Sequence, residues 1–369
     1  MRSPCECLQQ TRNNLNFKQG NIVTKIRAAV VGATGYAGAE LVRILSGHPD
    51  VDLTVVTSRQ QAGVDFDAIY PSLKGVGRLT CKDSDPAVVA ESSDVAFLAL
   101  PHKASMAMVP PLLDKGLKVV DLSADFRFKN RAAYEDHYQP HSYPELLERS
   151  VYGLCEAYRE QIVGADLIGN PGCYPTSILL PLLPLVRAGM VEPDSIVADC
   201  KSGVSGAGRE ATAGTHFCHV NESFKPYKVG GHRHTPEIEE NIGLAAGREV
   251  KMTFVPHLVP MTRGMQSTVY TTLVGTTAEA AIQDCLESAY GDAPFVRLLP
   301  KGRFPDSLHV RGTNFCDIGW AIDPRNGRLI LMSAIDNLVK GAAGQAVQNM
   351  NLIYGFPESA GLETVPYPL

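Results

Sequence analysis

No apolar run in this 369-residue chain reaches the length of a membrane span, and Met1 to Thr24 lacks the apolar core of a signal peptide. Nine cysteines are present, but none stands in a CxxC pair, which argues against a structural zinc or a disulfide framework and toward a reducing compartment. There is no basic excess either. The net charge is −5 with lysine and arginine scattered, so no stretch suits nucleic acid or an anionic membrane surface. Internal repeats and low-complexity segments are missing too. What is left is a globular, cytoplasmic protein, too long for a single hydrophobic core and therefore expected to form two domains. The first 24 residues carry Arg2, Arg12 and Lys18 against Glu6 alone, yet little serine. They read as a disordered extension, with a plastid-targeting remnant as the alternative.

From residue 26 the chain reads as strand, glycine turn and helix, with Gly32-Ala33-Thr34-Gly35-Tyr36-Ala37-Gly38 as the turn. Further near-continuous apolar runs at 95–100 and 118–122 have the character of parallel strands buried on both faces, so this half is a doubly wound α/β unit. Glycines at a strand–helix junction let the backbone turn sharply and bring N–H groups against a pyrophosphate at the positive end of a helix. Gly32, Thr34, Gly35, Tyr36, Ala37 and Gly38 are therefore candidate dinucleotide contacts. The second strand ends in Thr57-Ser58-Arg59, where NAD enzymes usually carry a carboxylate for the ribose. A hydroxyl and a guanidinium suit a 2′-phosphate instead, so Ser58 and Arg59 favour NADP.

Past Cys173 the texture changes. Gln266 to Val274 alternates, and Asn326-Gly327 between two strand-like runs predicts a hairpin with a type I′ turn. Residues 173–336 are read as a second, α+β domain with a largely antiparallel sheet. A helix rich in small residues at 337–347 then returns to the first domain, so residues 25–172 and 337–369 form the cofactor-binding part.

Gly169-Asn170-Pro171-Gly172-Cys173-Tyr174-Pro175-Thr176 sets one cysteine in a turn just before an apolar helix. A helix N-terminus is expected to draw the thiol pKa below its free value of about 8.5, making Cys173 a nucleophile; the plain alternative is a buried core cysteine. Proton transfer needs a partner, and His232 and His234 flank Arg233 on a loop whose following helix is expected to be capped by Thr235. His234 is favoured as acid/base and His232 is kept as a substrate or orienting contact, with the reverse order open and a surface or structural pair as the plain alternative. No second ligand cluster accompanies them, so no metal is expected. The segment Lys201 to Arg209, with three glycines and two serines, suits an anion-binding nest. Arg127, Asn170, Lys201 and Arg209 are the candidate substrate contacts, with structural ion pairing as the alternative for Arg127 and Arg209. His102, His216, His219 and His257 lack comparable context and read as structural.

Gly32 to Gly38, Asp121-Leu122-Ser123-Ala124-Asp125-Phe126-Arg127, Asn170 to Thr176, Lys201 to Arg209 and Gly231 to Ile238 occur in this order. Together they resemble the N-acetyl-gamma-glutamyl-phosphate reductase family over about residues 25 to 355. Gly172 departs from aspartate-semialdehyde dehydrogenases, which usually have asparagine before the cysteine. The resemblance implies a Rossmann-type sheet joined to an α+β substrate and dimerisation domain, as in semialdehyde dehydrogenases. It also implies an NADPH-dependent reduction of an acyl phosphate through a Cys173 thioester, in a homodimer or homotetramer. Ser202 and Gly203 would lie near the cofactor and Asn337 on the nicotinamide amide. A reductase acting on a carrier-linked glutamyl or aminoadipyl phosphate is the nearest rival, and a non-catalytic NADP-binding redox sensor is the rival of another class.

Overall fold

Along β1 (Ile26–Val31) successive side chains enter two different apolar cores, Ala28 and Val30 one and Ala29 and Val31 the other. Only a strand covered on both faces behaves this way. The computed structural model describes residues 25–75 and 79–366, so the expected extension at 1–24 lies outside the described residues. Beside β1 run β2 (Val51–Thr57), β3 (Val95–Leu98), β4 (Lys118–Asp121), β5 (Val151–Tyr152) and β6 (Leu167–Gly169), all parallel, in the order β2-β1-β3-β4-β6-β5. The connection leaves β1 toward β2 on one side and returns to β3 on the other, which opens a crevice at the strands' carboxyl ends. Helix α1 (Tyr36–Leu45) begins at that crevice and buries Leu41, Val42, Ile44 and Leu45. A further helix, α2 (Cys155–Ile162), lies before β6.

The second sheet is built on parity. In β7 (Val197–Ser202), Ala198, Cys200 and Ser202 are buried while Val197, Asp199 and Lys201 are half-exposed, as period-two alternation requires. With β8 (Lys225–Pro226), β9 (Thr253–Leu258), β10 (Met265–Thr272), β11 (Val296–Leu298), β12 (Cys316–Asp323) and β13 (Arg328–Ile335) it runs β11-β12-β13-β10-β7-β9-β8. Pairing is antiparallel except between β11 and β12 and between β7 and β9. Helices α3 (Cys173–Arg187), α4 (Thr235–Ala246) and α5 (Glu279–Tyr290) cover the inner face, with Ile178, Leu182, Ile238, Ile242, Ile282 and Leu286 packed against Val269 and Leu331. α3 is buried nearly all round and starts at Cys173 itself rather than after it.

Three local expectations change. Asp323 pairs with Arg328, so the β12–β13 loop has four residues, 324–327; only Gly327 takes positive φ, at 71°, and the type I′ pair is not formed. The Asp323 carboxylate instead accepts the Arg325 N–H at 3.0 Å and directs the turn. At α4 the cap position belongs to His234, and Thr235 is already helical, so its hydroxyl caps nothing. The helix expected at 337–347 begins as a wide π turn, Val339–Ala343, before continuing as α6 (Gly344–Tyr354). Asp336 Oδ1 accepts from the Leu338 N–H at 2.8 Å and the Val339 N–H at 3.2 Å, and buried Lys340 pairs with Glu156 of α2 at 2.6 Å. Arg263 links this turn to the first helix, reaching Asp336 Oδ2 and Glu40 Oε1 of α1 at 3.0 Å each.

Candidate active site

The glycine turn occupies the crevice between β1 and β3. Gly32 has φ 82°, and a Cβ on it would lie 2.6 Å from the Ala99 carbonyl oxygen. A Cβ on Gly38 would lie 2.4 Å from the Gly32 oxygen, so the close helix–strand approach itself excludes a side chain at both positions. Gly35 differs, because the nearest atom to its Cβ position is 3.7 Å away. The space over Gly35 is open toward solvent, and the N–H groups of the first turn, at Tyr36, Ala37 and Gly38, have no intrahelical acceptor. These features fit a dinucleotide pyrophosphate. At the end of β2, Thr34 Oγ1 and Ser58 Oγ stand 3.1 Å apart, and Arg59 beside them is exposed.

Arg209 closes on this loop from the second sheet's side. Its Nη1 donates to the Thr34 carbonyl at 2.8 Å, and its guanidinium lies 5.1 Å from the Tyr70 ring centroid. It belongs to the nucleotide end rather than to the thiol. A cleft of about 670 Å³ runs from there along α1, past Tyr36, Glu40 and Arg43; neither Cys173 nor the two histidines line it. Ser202, Gly203 and Asn337 meet at the end of β7. Asn337 Oδ1 accepts from the Gly264 N–H at 2.8 Å, and its Nδ2 donates to Ser205 Oγ at 2.9 Å.

The thiol site forms where β6 turns into α3. Glu237, on the first turn of α4, accepts the Gly172 N–H at 2.9 Å, the Tyr152 hydroxyl at 2.8 Å and Arg127 Nη1 at 3.0 Å. Three donors on one carboxylate fix the residue immediately before Cys173. His234 lies over the same glycine, its Nε2 placed 2.7 Å from where a Gly172 Cβ would be. On the other side Gly341 of the π turn walls the cysteine, a Cβ there falling 2.8 Å from Cys173 Cβ.

Electrostatics revises the expected pKa values. Burial pushes the Cys173 thiol up to about 11, and the backbone N–H of Tyr174 with the charges of Arg127 and Arg233 only partly offsets this. Desolvation outweighs the helix terminus, so the resting sulfur is protonated. Neither histidine titrates near neutrality. Burial, then Arg233 and Lys228, hold His232 at about 3, while burial, then His232, Arg127 and Arg233, hold His234 well below its ordinary value. Both imidazoles are neutral. His232 sits among the rings of Tyr174, Tyr227 and Phe254, at 5.6, 5.5 and 5.3 Å, and its Nδ1 accepts the His234 backbone N–H at 3.1 Å. It therefore orients His234, whose own Nδ1 is buried without a hydrogen-bond partner among the described residues.

The four candidate substrate contacts are each engaged within the protein, and Arg127 takes its ion-pairing alternative. Arg127 is buried with Nε on the Asn170 carbonyl at 2.7 Å, Nη1 on Glu237 and Nη2 on the Leu122 carbonyl at 2.6 Å, so it acts on the thiol by charge rather than by a free fork. Asn170 is buried between the Ala342 carbonyl at 3.2 Å and Asn349 Nδ2 at 3.1 Å. Lys201 points to the face of β7 opposite α3 and pairs with Asp199 at 2.9 Å. Glu237 was not among the candidates, and His102, read as structural, is held by the protein itself. Glu237 stands three positions after His234 on a helix start, a spacing that brings both to one place. His102 enters from the loop after β3, with its ring 5.5 Å from Tyr138 and its Nδ1 accepting the Ala124 N–H at 2.9 Å, a placement with no local signature. Among the described residues no group of histidine, cysteine and acidic side chains is placed to hold a metal, and no helix is long and apolar enough to cross a membrane.

Residues 27–165 match the family described as semialdehyde dehydrogenase, NAD binding domain, and residues 173–337 the family described as semialdehyde dehydrogenase, dimerisation domain. An N-acetyl-gamma-glutamyl-phosphate reductase of Desulforapulum autotrophicum is 57% identical over 341 residues, covering 92% of this chain and 99% of its own. Another, from Geobacter metallireducens, is 54% identical over 342 residues with the same coverage. The chain belongs to the N-acetyl-gamma-glutamyl-phosphate reductases of the semialdehyde dehydrogenase family. Among solved structures, aspartate semialdehyde dehydrogenase II of Vibrio cholerae superposes with a TM-score of 0.69 at 18% identity, covering 89% of this chain and 98% of that one. The Candida albicans aspartate semialdehyde dehydrogenase solved with NADP gives 0.62 at 17%, covering 89% and 98%. Those likenesses speak to the fold, a parallel Rossmann-type sheet joined to a largely antiparallel one. The family binds a nicotinamide cofactor through the first.

Proposed function

We propose that this protein reduces N-acetyl-L-glutamyl 5-phosphate to N-acetyl-L-glutamate 5-semialdehyde and phosphate, a step of arginine biosynthesis, through a thioester on Cys173. The observation that carries this is a neutral, buried imidazole, His234, set against the turn that presents the Cys173 thiol. His234 takes the thiol proton as sulfur attacks the acyl carbon, and the C–S bond forms as the C–O bond to phosphate breaks. The proton then passes to the departing phosphate. A bound dianion offsets the charges of Arg127 and Arg233 that hold the imidazole's pKa down, so substrate itself makes His234 a better base. In the first turn of α3 the Tyr174 N–H serves the thiol and Pro175 has none, which leaves the Cys173 N–H for the developing oxyanion. The nicotinamide cofactor, when bound, would supply hydride to the thioester carbon; the thiolate left on release of the aldehyde takes up a proton from solvent by way of His234.

NADP is the cofactor this reading assigns. Thr34, Ser58 and Arg59 gather two hydroxyls and one guanidinium where a ribose 2′-phosphate would sit. Ser202, Gly203 and Asn337 take the nicotinamide end. Assembly into a homodimer is assigned to the outer face of the second sheet, where half-buried Val197, Tyr270 and Ile330 stand in register across β7, β10 and β13, with half-buried Val255 and Met332 in the next row. Such a row of apolar side chains calls for cover. The test of function is the reverse reaction: NADP⁺ is reduced when N-acetylglutamate semialdehyde and phosphate are supplied together and not when either is omitted. Turnover confined to a carrier-linked acyl group, or NADP binding with no turnover, would overturn the assignment.

A further inference from the structure

Arg127 and Lys201 were expected to meet the substrate's anionic groups, and the fold occupies both elsewhere. Three other cations stand at the mouth of the thiol site. Arg233, Lys228 and Lys103 are all exposed, and none is within ion-pair distance of a carboxylate among the described residues. Arg233 lies between His232 and His234, whose rings are 4.9 Å apart, and its carbonyl is held by the Tyr138 hydroxyl at 3.1 Å. Tyr138 in turn packs on His102, next to Lys103. The backbone of Lys103 is fixed by its N–H donating to Asp125 Oδ1 at 2.9 Å. Lys228 follows Tyr227, which closes over His232 and donates to the Tyr174 hydroxyl at 3.2 Å.

Both lysines have left-handed backbone, φ 76° at Lys103 and 47° at Lys228. Glu222 is the only other non-glycine residue with positive φ among the described residues. Lysine has no preference for that region, and strain of this kind persists where the surroundings impose it, commonly at ligand sites.

We infer that Arg233 holds the phosphoryl group of the acyl phosphate, and inorganic phosphate in the reverse reaction, while Lys228 and Lys103 receive the substrate's carboxylate. The inference rests on the acyl-phosphate reading above. Two features separate the roles. A planar guanidinium matches phosphate oxygens in pairs, whereas an ammonium on a flexible stem serves a carboxylate as a point charge. Arg233 is also the cation that acts on the thiol itself together with Arg127, whereas Lys228 acts on His232 and His102 and Lys103 on His102. In the reverse direction a phosphate oxygen attacks the thioester carbon. The C–O bond forms, the C–S bond breaks with its electron pair left on sulfur, and the phosphate's proton returns to Cys173 through His234. Arg233 places that oxygen.

Phosphate is a free substrate in that direction, so its Michaelis constant reports on Arg233 separately from the organic substrate. Arg233→Gln is expected to raise KM for phosphate at least tenfold, with KM for the semialdehyde and for NADP⁺ within twofold of wild type. Arg233→Lys should fall between, and Lys228→Asn, which tolerates left-handed backbone, should show the opposite split. Unchanged KM for phosphate in Arg233→Gln, or a rise confined to the semialdehyde, would overturn the assignment. If Arg233→Gln fails to fold, protection of Cys173 from iodoacetamide by inorganic phosphate, compared between wild type and Arg233→Lys, decides the matter, and equal protection counts against it. Absence of turnover in the wild type would sink the acyl-phosphate reading instead, so the two failures are distinct.

Discussion

The Nε2 atom of His234 fills the space that a side chain on Gly172 would need, 2.7 Å from the Cβ position. Arg127 Nη1 closes the same space at 3.0 Å. Glycine is thus demanded by the imidazole's place rather than by its own backbone, which at φ −69° and ψ 159° is open to any residue. Gly172→Ala should displace His234 and lower kcat by about 10- to 100-fold, as small misplacements of a catalytic group do. Cofactor affinity, measured by NADPH fluorescence titration, should hold. A variant with unchanged kcat would show that His234 does not move the proton.

The thiol offers a second check. Because burial holds Cys173 protonated to about pH 11, its alkylation by iodoacetamide in the unliganded protein should be slow at pH 7 and climb steadily through pH 9 as the thiolate fraction grows. Mass spectrometry of the Cys173 peptide gives the rate. A plateau reached by pH 8 would mean that the helix terminus dominates after all.

Cofactor choice depends on the end of β2. Arg59→Asp places a carboxylate beside the paired hydroxyls of Thr34 and Ser58, where it repels a 2′-phosphate and accepts a 2′-hydroxyl. KM for NADPH should rise about tenfold or more, with KM for NADH falling or unchanged. Parallel changes in both would remove Arg59 from the site.

His232 makes stability depend on pH in a definite direction. Its folded pKa, about 3, lies below the unfolded value of about 6.5, so above pH 6.5 it is neutral in both states and the protein keeps its full stability. As pH falls toward 3 the unfolded chain takes up a proton that the folded one refuses, and stability drops by about 1.4 kcal/mol per pH unit. Asp121 opposes this. Burial first, then the nearby Asp125, raises its carboxyl to about 7, so its contribution is present at low pH and is lost as pH rises through 7. The histidine's share is isolated by difference. Between pH 7.5 and 5.0 the stability of wild type relative to His232→Asn, from denaturant unfolding, should fall by about 2 kcal/mol. A constant difference would show that the imidazole is solvated.

The glycine turn, the buried parallel strands and the cysteine at a helix start were legible because each is written in a few adjacent residues. Arg127 was not, because what decides its role is Glu237, 110 positions further on. Lys201 is a different case. The alternation of Val197 to Ser202 already separates Cys200 from its charged neighbours, and only the position of α3 reveals which set faces the thiol. The pKa expectations failed on magnitude: a helix terminus favours a thiolate, but at a half-closed site the cost of desolvation is larger. The wide turn at 339–343 has no residue signal beyond its small side chains, since it follows from fitting Gly341 against Cys173 while Lys340 reaches Glu156.

That turn bears on how the protein comes into being. Ala346, Val347 and Met350 complete the apolar layer beneath β1 and α1, and Gly341 completes the surroundings of the thiol. Both sites therefore stay open until residues 339–350 have docked. One short segment thus completes the thiol's surroundings and the layer beneath the cofactor turn, and a change that undocks it would disturb both at once.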